Sequence, residues 1–513
     1  MDTLARLRQF LGKCFALDLR SLALYRMGLG LVILCDLALR SRDLVAFYSD
    51  QGILPRQILA GSFANPWHWS LHFINGSPVF QAMMFLLAAA FGAMMMVGYR
   101  TQLATFVSWV LLVSLNARNP LILNAGDTYL GILTFWGIFL PLGRVWSIDN
   151  KRNAFVGESQ QTTTDLSTGS LATFALYLQI AMMYVGTGMM KRSYDAWQTG
   201  DAIRLSLSKD FIVTRLGQKL VEYPDFLHSL SQVTLYLELL GPLVLLLSRG
   251  WLRVGVVAVF VAFHLALAAC FTIGLFPWVC IVVFAAFLPP RFWDRLIKQD
   301  RVQFQPTEKE ENRPRHQLAY YCKQCVLLVA LTVAVWTSIN SVYPSVAVPH
   351  GVRNLGMAFR WSQKWQMFVD LAAGKNGWFV FHAQFVDGTS EDLLTGLSPV
   401  SYDKPDLVSA TFDNFRWRKL LMNLRKPKYE LVRTYLGEYL LLQRDKVHGD
   451  VHQLLGLELS FLSPAEVAAE KTADSAEIAA LGKRFPTVIP LEKEVLYEWQ
   501  NEARKYHDVF IRE

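Results

Sequence analysis

Charged residues are scarce in this sequence. Only 18% of its 513 residues are Asp, Glu, Lys or Arg, whereas 53% are hydrophobic and the mean hydropathy is +0.26. A soluble globular protein carries about 25% charged residues. The shortage of charge therefore excludes an ordinary soluble enzyme and favours a chain that lies largely in lipid.

Cysteine is also rare, with six in the chain and none after Cys325. This excludes a disulfide framework in the C-terminal part. Cys322 and Cys325 form a C-x-x-C pair, but neither a second pair nor a βαβ pattern accompanies it. We therefore predict small apolar residues of a helix there, and no metal cofactor in the protein.

Two further features are missing. The sequence has no internal repeat and no inverted pair of broken helices, which disfavours a secondary transporter. Residues 1–20 lack the apolar core of a cleavable signal peptide. We expect them to form an amphipathic segment on the inner face of a membrane.

The apolar residues are concentrated in nine runs. Because about 20 helical residues cross a hydrocarbon core of about 30 Å, the runs predict a polytopic α-helical membrane protein with about nine spans. The transmembrane domain would cover residues 21–343. The runs are Ser21–Leu39, Pro78–Val97, Gln102–Leu115, Thr128–Leu142, Leu171–Met190, Val233–Leu247, Leu252–Phe271, Leu275–Leu288 and Leu318–Val342.

Basic residues occur in alternate loops between these runs. The positive-inside rule then predicts a cytoplasmic N-terminus and an extracytoplasmic domain over residues 344–513. The net charge of +8 is explained by contact with anionic lipid and requires no nucleic acid. The cytoplasmic cations are Arg6, Arg8, Lys13, Arg20, Arg100, Arg144, Lys151, Arg152, Arg249, Arg253, Arg291, Arg295, Lys298 and Arg301.

The C-terminal domain mixes strand and helix patterns. Trp378–Val386 is strand-like and ends at Asp387-Gly388, a hairpin signal, and Leu455–Leu462 alternates polar and apolar residues. Between them, Phe415–Leu424 and Tyr429–Leu442 have helical spacing. We predict an α+β or β-rich domain.

Few ionisable residues lie within the runs, and burial in lipid makes each of them costly. The first explanation is an interhelical salt bridge or hydrogen bond. Arg26 and Asp36 are separated by about 15 Å of helix, so each is expected to find a partner on another helix. The residues are Arg26, Asp36, Asp127, Glu238 and His264.

Lys191 and Arg192 directly follow the fifth run, on the side where cations are disfavoured. One interpretation is that Lys191 extends to the headgroups. Another is that Lys191 is partly buried beside Arg192, which favours a neutral amine able to act as a base, while Asp195 opposes this.

Four motifs in order across Asp18–Leu296 resemble the HTTM domain, the membrane domain shared with the vitamin K-dependent gamma-carboxylases. The stretch Arg360–Met367 resembles the segment that follows this domain in the family. The motifs are Ala46–Pro55 (AFYSDQGILP), Asn119-Pro120 with Gly126-Asp127 and Phe139–Gly143 (FLPLG), Lys191 with Trp197 and Gly200, and His264 with Ile273–Trp278 (IGLFPW).

The resemblance implies a site. In the carboxylases a lysine before the tryptophan deprotonates reduced vitamin K, oxygen adds, and the strongly basic product removes a proton from a glutamate that then captures carbon dioxide. Lys191 would be the catalytic base. The residues implied to bind the quinol are Arg192, Trp197, His264 and Asp127. Arg360, Trp361 and Trp365 would lie near the domain junction.

Two positions differ from the animal enzymes. Those enzymes have two successive lysines and use the second, whereas this chain has Lys191 followed by Arg192. Counting from Trp197 leaves open which of the two occupies the catalytic position, and an arginine stays protonated. Asp127 stands where the animal enzymes have a histidine.

The resemblance implies a membrane enzyme that couples oxidation of reduced vitamin K, or of another quinol, to carboxylation. Its partner would be a secreted or lipid-borne protein or peptide carrying glutamate, and its location the bacterial inner membrane. The alternative is a non-catalytic maturation or export factor for a secreted protein or toxin. The enzyme would require reduced quinone, oxygen and bicarbonate, whereas the maturation or export factor would require none of them.

The topology predicts which introduced cysteines are accessible from outside the cell. In a variant whose native cysteines are replaced by serine, Lys375→Cys should react with an impermeant thiol reagent in intact cells, because residue 375 follows the last run. Lys151→Cys should react only after permeabilisation. The opposite pattern would overturn the orientation.

Overall fold

A helix forms at each of the nine apolar runs in a computed structural model of the chain, which describes residues 15–63, 67–155, 166–297, 314–361, 363–370, 376–448, 454–464 and 491–500. The predicted N-terminal amphipathic segment falls mostly outside these residues. The helices are α1 Leu19–Ser41, α2 Pro78–Val97, α3 Thr101–Arg118, α4 Ala125–Phe139, α5 Leu171–Lys191, α6 Pro224–Leu247, α7 Gly250–Cys270, α8 Phe276–Ala285 and α9 Pro314–Val342.

Shorter elements connect these helices. Two short strands, β1 and β2, pair antiparallel before α1 and α5. They are β1 Leu17–Asp18 and β2 Ser167–Thr168. The short helices are Leu44–Tyr48, Arg56–Ile58, Ile148–Phe155, Asp195–Gln198, Ala202–Leu207, Arg215–Leu220 and Pro290–Leu296, and α10 (His350–Ala358) follows α9.

Six helices among the described residues are long and apolar enough to cross a membrane: α1, α2, α5, α6, α7 and most of α9. Helix α8 and the helix Pro290–Leu296, bent by 86° between them, make a seventh if they are counted as one span. These helices make the chain a polytopic helical membrane protein. The count of nine spans stays a prediction.

Helices α3 and α4 are not among these candidate spans, because α3 is too polar and α4 is too short. Helix α4 has 15 residues, about 22 Å of helix, and α3 carries several hydroxyl and amide side chains. Most residues of both helices are buried by protein. A helix enclosed by other helices needs no lipid-facing apolar surface, so its mean hydropathy can be too low to identify it as a span.

The chain divides into two compact units. The first comprises Met1–Ser206 and Lys219–Leu371, and the second comprises Leu207–Gln218 and Ala372–Glu513. Residues 344–371, which the sequence assigned to the C-terminal domain, thus group with the helices. Within the first unit, α4 packs against α3, α5 and α8, and α5 packs against α6 and α9.

Arg26 shows how one intramembrane cation is accommodated. Its two terminal nitrogens donate to the backbone oxygens of Leu142 and Trp146, at 3.0 and 2.6 Å, beyond the end of α4. Gly98 ends α2 with φ +72°, and a Cβ there would lie 2.4 Å from the Arg26 guanidinium. Glycine at this position therefore permits the left-handed cap of α2 and also leaves room for the Arg26 side chain. Arg26 thus finds its partners outside its own helix, but in the loop that follows α4 and not on another helix.

The second unit contains an antiparallel sheet in the order β4-β3-β5-β6. The predicted hairpin is confirmed, because β3 turns at Asp387-Gly388 to pair with β4. Both predicted helices are present, and α12 packs against β6. The elements are β3 Trp378–Phe385, β4 Ser390–Asp392, α11 Phe415–Leu424, α12 Glu430–His448, β5 Leu454–Pro464 and β6 Leu491–Gln500. This unit is α+β, and its side of the membrane stays a prediction.

Part of the loop between α5 and α6 belongs to this second unit. The Val213 carbonyl accepts a hydrogen bond from Ser409 Oγ at 2.5 Å, and the Ser208 carbonyl accepts one from Asn376 Nδ2 at 2.8 Å. Residues 207–218 are therefore held by a unit formed mostly by the C-terminal sequence.

Asp149 provides a testable stabilising contact at the start of α3. Arg100 at the N-cap has a left-handed backbone and makes no capping bond of its own. Asp149 replaces the cap by accepting from the backbone nitrogens of Arg100 and Thr101 at 2.8 and 2.7 Å. Burial alone would raise the pKa of Asp149, but these hydrogen bonds hold it below its usual value.

Asp149→Ala should lower the free energy of unfolding by about 1–2 kcal/mol, the usual contribution of an N-cap. Asn150→Ala, at the exposed neighbouring position, is the control. Thermal unfolding in one detergent measures both variants. Equal unfolding temperatures for the two would contradict the capping role.

Candidate functional site

The candidate site is a buried ion pair between α5 and α6. Lys191 Nζ lies 2.6 Å from Glu238 Oε1, and the side chains of Lys191 and Glu238 are 3% and 7% exposed. Removing two charges from water is costly unless they neutralise each other. The expectation that intramembrane ionisable groups form interhelical salt bridges is confirmed for Glu238.

Small and aromatic residues enclose this pair. Gly188, one turn before Lys191, lets the helices approach, since a Cβ there would lie 2.9 Å from Leu239 Cγ. Trp197, also buried, places its ring 4.3 Å from Lys191 Nζ. A cation over an aromatic face is attracted electrostatically. Lys191 is thus held by a carboxylate and a ring, and does not extend to solvent.

A second polar pair joins α5 to α7. Tyr184, two turns before Lys191, shares a hydrogen bond between its hydroxyl and His264 Nε2 of α7. Tyr184 also interacts electrostatically with Glu238. Phe284 of α8 packs against both Tyr184 and His264. These contacts form an aromatic enclosure next to the ion pair.

Asp127 belongs to a different centre, around Arg40. Arg40 Nε donates to Asp36 Oδ2 of its own helix at 2.7 Å. Arg40 Nη2 donates to Asp127 Oδ1 of α4 at 2.5 Å. Asp127 also accepts from the Asn124 backbone in a capping box at the start of α4. Asp36 pairs with Arg40 one turn further along α1, and Arg40 links it to Asp127 of α4. The predicted run ends at Leu39 and so excludes Arg40.

The described residues between 360 and 368, which we call the returning segment, lead back into the helices after α10. Gln363 and Gln179 of α5 exchange two amide hydrogen bonds of 3.0 Å. Further along, the Trp365 carbonyl accepts from Thr187 at 3.1 Å, and the Phe368 carbonyl accepts from Trp197 Nε1 at 2.9 Å. The returning segment thus follows α5 from its middle to the ion pair.

Aromatic packing anchors the same segment. Trp361 contacts Phe135 and Trp136 of α4, with ring centroids 4.5 and 5.7 Å apart, and Trp365 contacts Tyr129 at 5.5 Å. Both tryptophans are buried. Arg360, Trp361 and Trp365 therefore belong to the helical unit.

The structure brings together some of the residues that the sequence singled out. Lys191 and Trp197 are in contact, and His264 is hydrogen-bonded to Tyr184, which lies on the same helix as Lys191. Arg192 is exposed at the end of α5, and Asp195 is exposed too. Neither charge is buried with Lys191, so the argument from a buried Arg192 neighbour does not hold in this structure.

Three features of the site were not predicted from the sequence: the pairing of Glu238 with Lys191, the role of Tyr184, and the Gln179–Gln363 amide pair. The sequence held a signal for the first. Lys191 follows the end of the fifth run and Glu238 lies near the start of the sixth, so the predicted topology places both toward the same side of the membrane. Helix pairing alone could have suggested that contact. Tyr184 carried no such signal, since one tyrosine in an apolar run is unremarkable by pattern.

The arrangement defines a class of protein: a polytopic helical membrane protein with ionic pairs buried between its helices. A family model described as the HTTM domain matches residues 16–293, which is 278 of the 513 residues. The chain belongs to the HTTM-domain family. No curated protein and no solved structure matches the chain.

Proposed function

We propose that this HTTM protein is a quinol-dependent, carboxylase-like membrane enzyme whose base is Lys191. The observation that carries the proposal is the buried Lys191–Glu238 pair beside Trp197. Structural ion pairs do not require an aromatic cover or neighbouring unpaired polar atoms. The partner would be a protein or peptide that presents a glutamate side chain from outside the membrane.

The pair supplies a route for one proton. With Nζ and Oε1 separated by 2.6 Å, a proton that leaves Lys191 passes to Glu238 without movement of the helices. Lys191 then presents a neutral amine, which is the form that accepts a proton from an acidic hydroxyl. The enclosure excludes water, which would otherwise compete for that proton.

Unpaired polar atoms of the helical unit support a bound quinol. Among the described residues, Glu238 Oε2, His264 Nδ1 and the Tyr129 hydroxyl are buried without a hydrogen-bond partner. Buried polar groups normally have partners, so these three suit the hydroxyl groups of a ligand. Trp197 and Phe284 offer aromatic faces for its ring. A bound quinol would supply the reducing power that oxygen consumes.

A non-catalytic maturation or export factor is the second candidate. The contacts of Asp127 favour it, because Arg40 and the capping box give this residue a structural role. A scaffold that recognises a secreted partner needs only such contacts and no quinol. In either case we propose an inner-membrane location, with the N-terminus in the cytoplasm and the α+β unit outside.

Lys191→Arg separates catalysis from structure. An arginine keeps the positive charge for Glu238 but cannot be deprotonated. In membranes supplied with reduced naphthoquinone, oxygen and labelled bicarbonate, the variant should incorporate at least about 100-fold less label into protein than the wild type. Lys151→Arg, the same change at an exposed lysine, should incorporate label normally.

The amount of each variant in the membrane must be equal for this comparison. Undiminished incorporation by Lys191→Arg would exclude Lys191 as the base. If the wild type incorporates no label with any quinol tested, the maturation factor becomes the leading function.

A further inference from the structure

A cavity of about 560 Å³ lies in the helical unit. It is lined by the end of α9, by α10, by the returning segment and by His68. Three of its lining residues, Arg353, Arg360 and Lys364, are cations, and no aspartate or glutamate is among the described residues that line it. Like charges that share a cavity repel each other unless an anion lies between them.

Arg360 is the central cation. Its backbone is left-handed, with φ +54°, which is uncommon for a residue other than glycine. Its Nη1 donates to His68 Nε2 at 3.0 Å. Within the part of the chain that the structure describes, Arg360 forms no salt bridge, and Asp127, which affects it electrostatically, is already bonded to Arg40.

His68 does not compensate this charge. Burial, and secondarily the charge of Arg360, lower the pKa of His68, which is therefore neutral at pH 7. Burial also lowers the pKa of Arg360, to about 10, so the arginine remains charged. A partly buried cation with a neutral partner has hydrogen-bonding capacity left for an anion.

The cavity has the size and walls of a ligand site. Its volume falls within the range of small-molecule pockets, about 300–1,000 Å³. Trp361, Met357 and Val348 supply apolar wall, and Asn340 and Ser341 place it at the C-terminal end of α9. Because α9 is a candidate span, this end of the helix is where lipid headgroups would lie.

We infer that this cavity binds a phosphate group, held by Arg360 with Arg353 and Lys364, which belongs either to a lipid headgroup or to a free phosphate ester. Two arginines suit phosphate oxygens geometrically, and three cations suit a group that carries up to two negative charges. This site is independent of the proposed chemistry at Lys191.

Binding of two probes to the full-length protein in a maltoside detergent tests the inference. The probes are glycerol 3-phosphate and dihexanoyl phosphatidate, titrated by calorimetry at two salt concentrations. The wild type should bind at least one of them, more weakly at higher salt. Saturation by the phosphatidate alone identifies a headgroup, and equal binding of both identifies a free ester.

Variants locate the site. Arg360→Gln should weaken binding at least tenfold. The double variant Arg353→Gln/Lys364→Gln should do so as well, and it removes only exposed side chains, so its folding is not at risk. Arg295→Gln, at an exposed cation outside the cavity, should bind within twofold of the wild type. Failure of both probes to bind, or equal binding by the double variant and Arg295→Gln, would overturn the inference.

Discussion

Two opposite charges buried between neighbouring helices impose the central constraint on this structure. Lys191 and Glu238 are removed from water, and each is tolerated only because the other lies 2.6 Å away. Loss of one partner of such a pair typically costs about 3–5 kcal/mol, because the other charge is left uncompensated. Helices α5 and α6 must therefore keep a fixed register and distance at this level.

Several surrounding features follow from that constraint. Gly188 allows the close approach of α6, and Trp197 covers the ammonium group. The returning segment completes the enclosure, since the Phe368 carbonyl holds the Trp197 indole in place. The buried charge of Arg40 is likewise neutralised, by salt bridges to Asp36 and Asp127. In both centres, charge neutralisation joins two helices: α5 with α6, and α1 with α4.

Local features of the fold were predictable from the sequence. Apolar runs of span length gave helices at all nine positions, because backbone hydrogen bonds in lipid must be satisfied within the segment. The hairpin at Asp387-Gly388 was predictable for a similar reason, since a positive φ at Gly388 is a local requirement. Such signals depend on neighbours in the chain and not on packing.

The candidate site was only partly predictable. Lys191 and Trp197 stood out as a cation and an indole at the end of an apolar run, but the partner carboxylate lies 47 residues away on another helix. Gln363 belongs to neither a helix nor a strand, and no local pattern marks its amide pairing with Gln179 of α5. Arg192 stood beside Lys191 in sequence, yet successive residues on a helix point in different directions, and it is exposed.

A double-mutant cycle tests the central ion pair most directly. Lys191→Met, Glu238→Gln and the double variant are unfolded under identical detergent conditions, and the free energies of unfolding are compared. The structure predicts that each single change is strongly destabilising and that the double variant loses at least about 2 kcal/mol less than the two single losses together. Losses that add to within about 0.5 kcal/mol would contradict a direct buried interaction between Lys191 and Glu238.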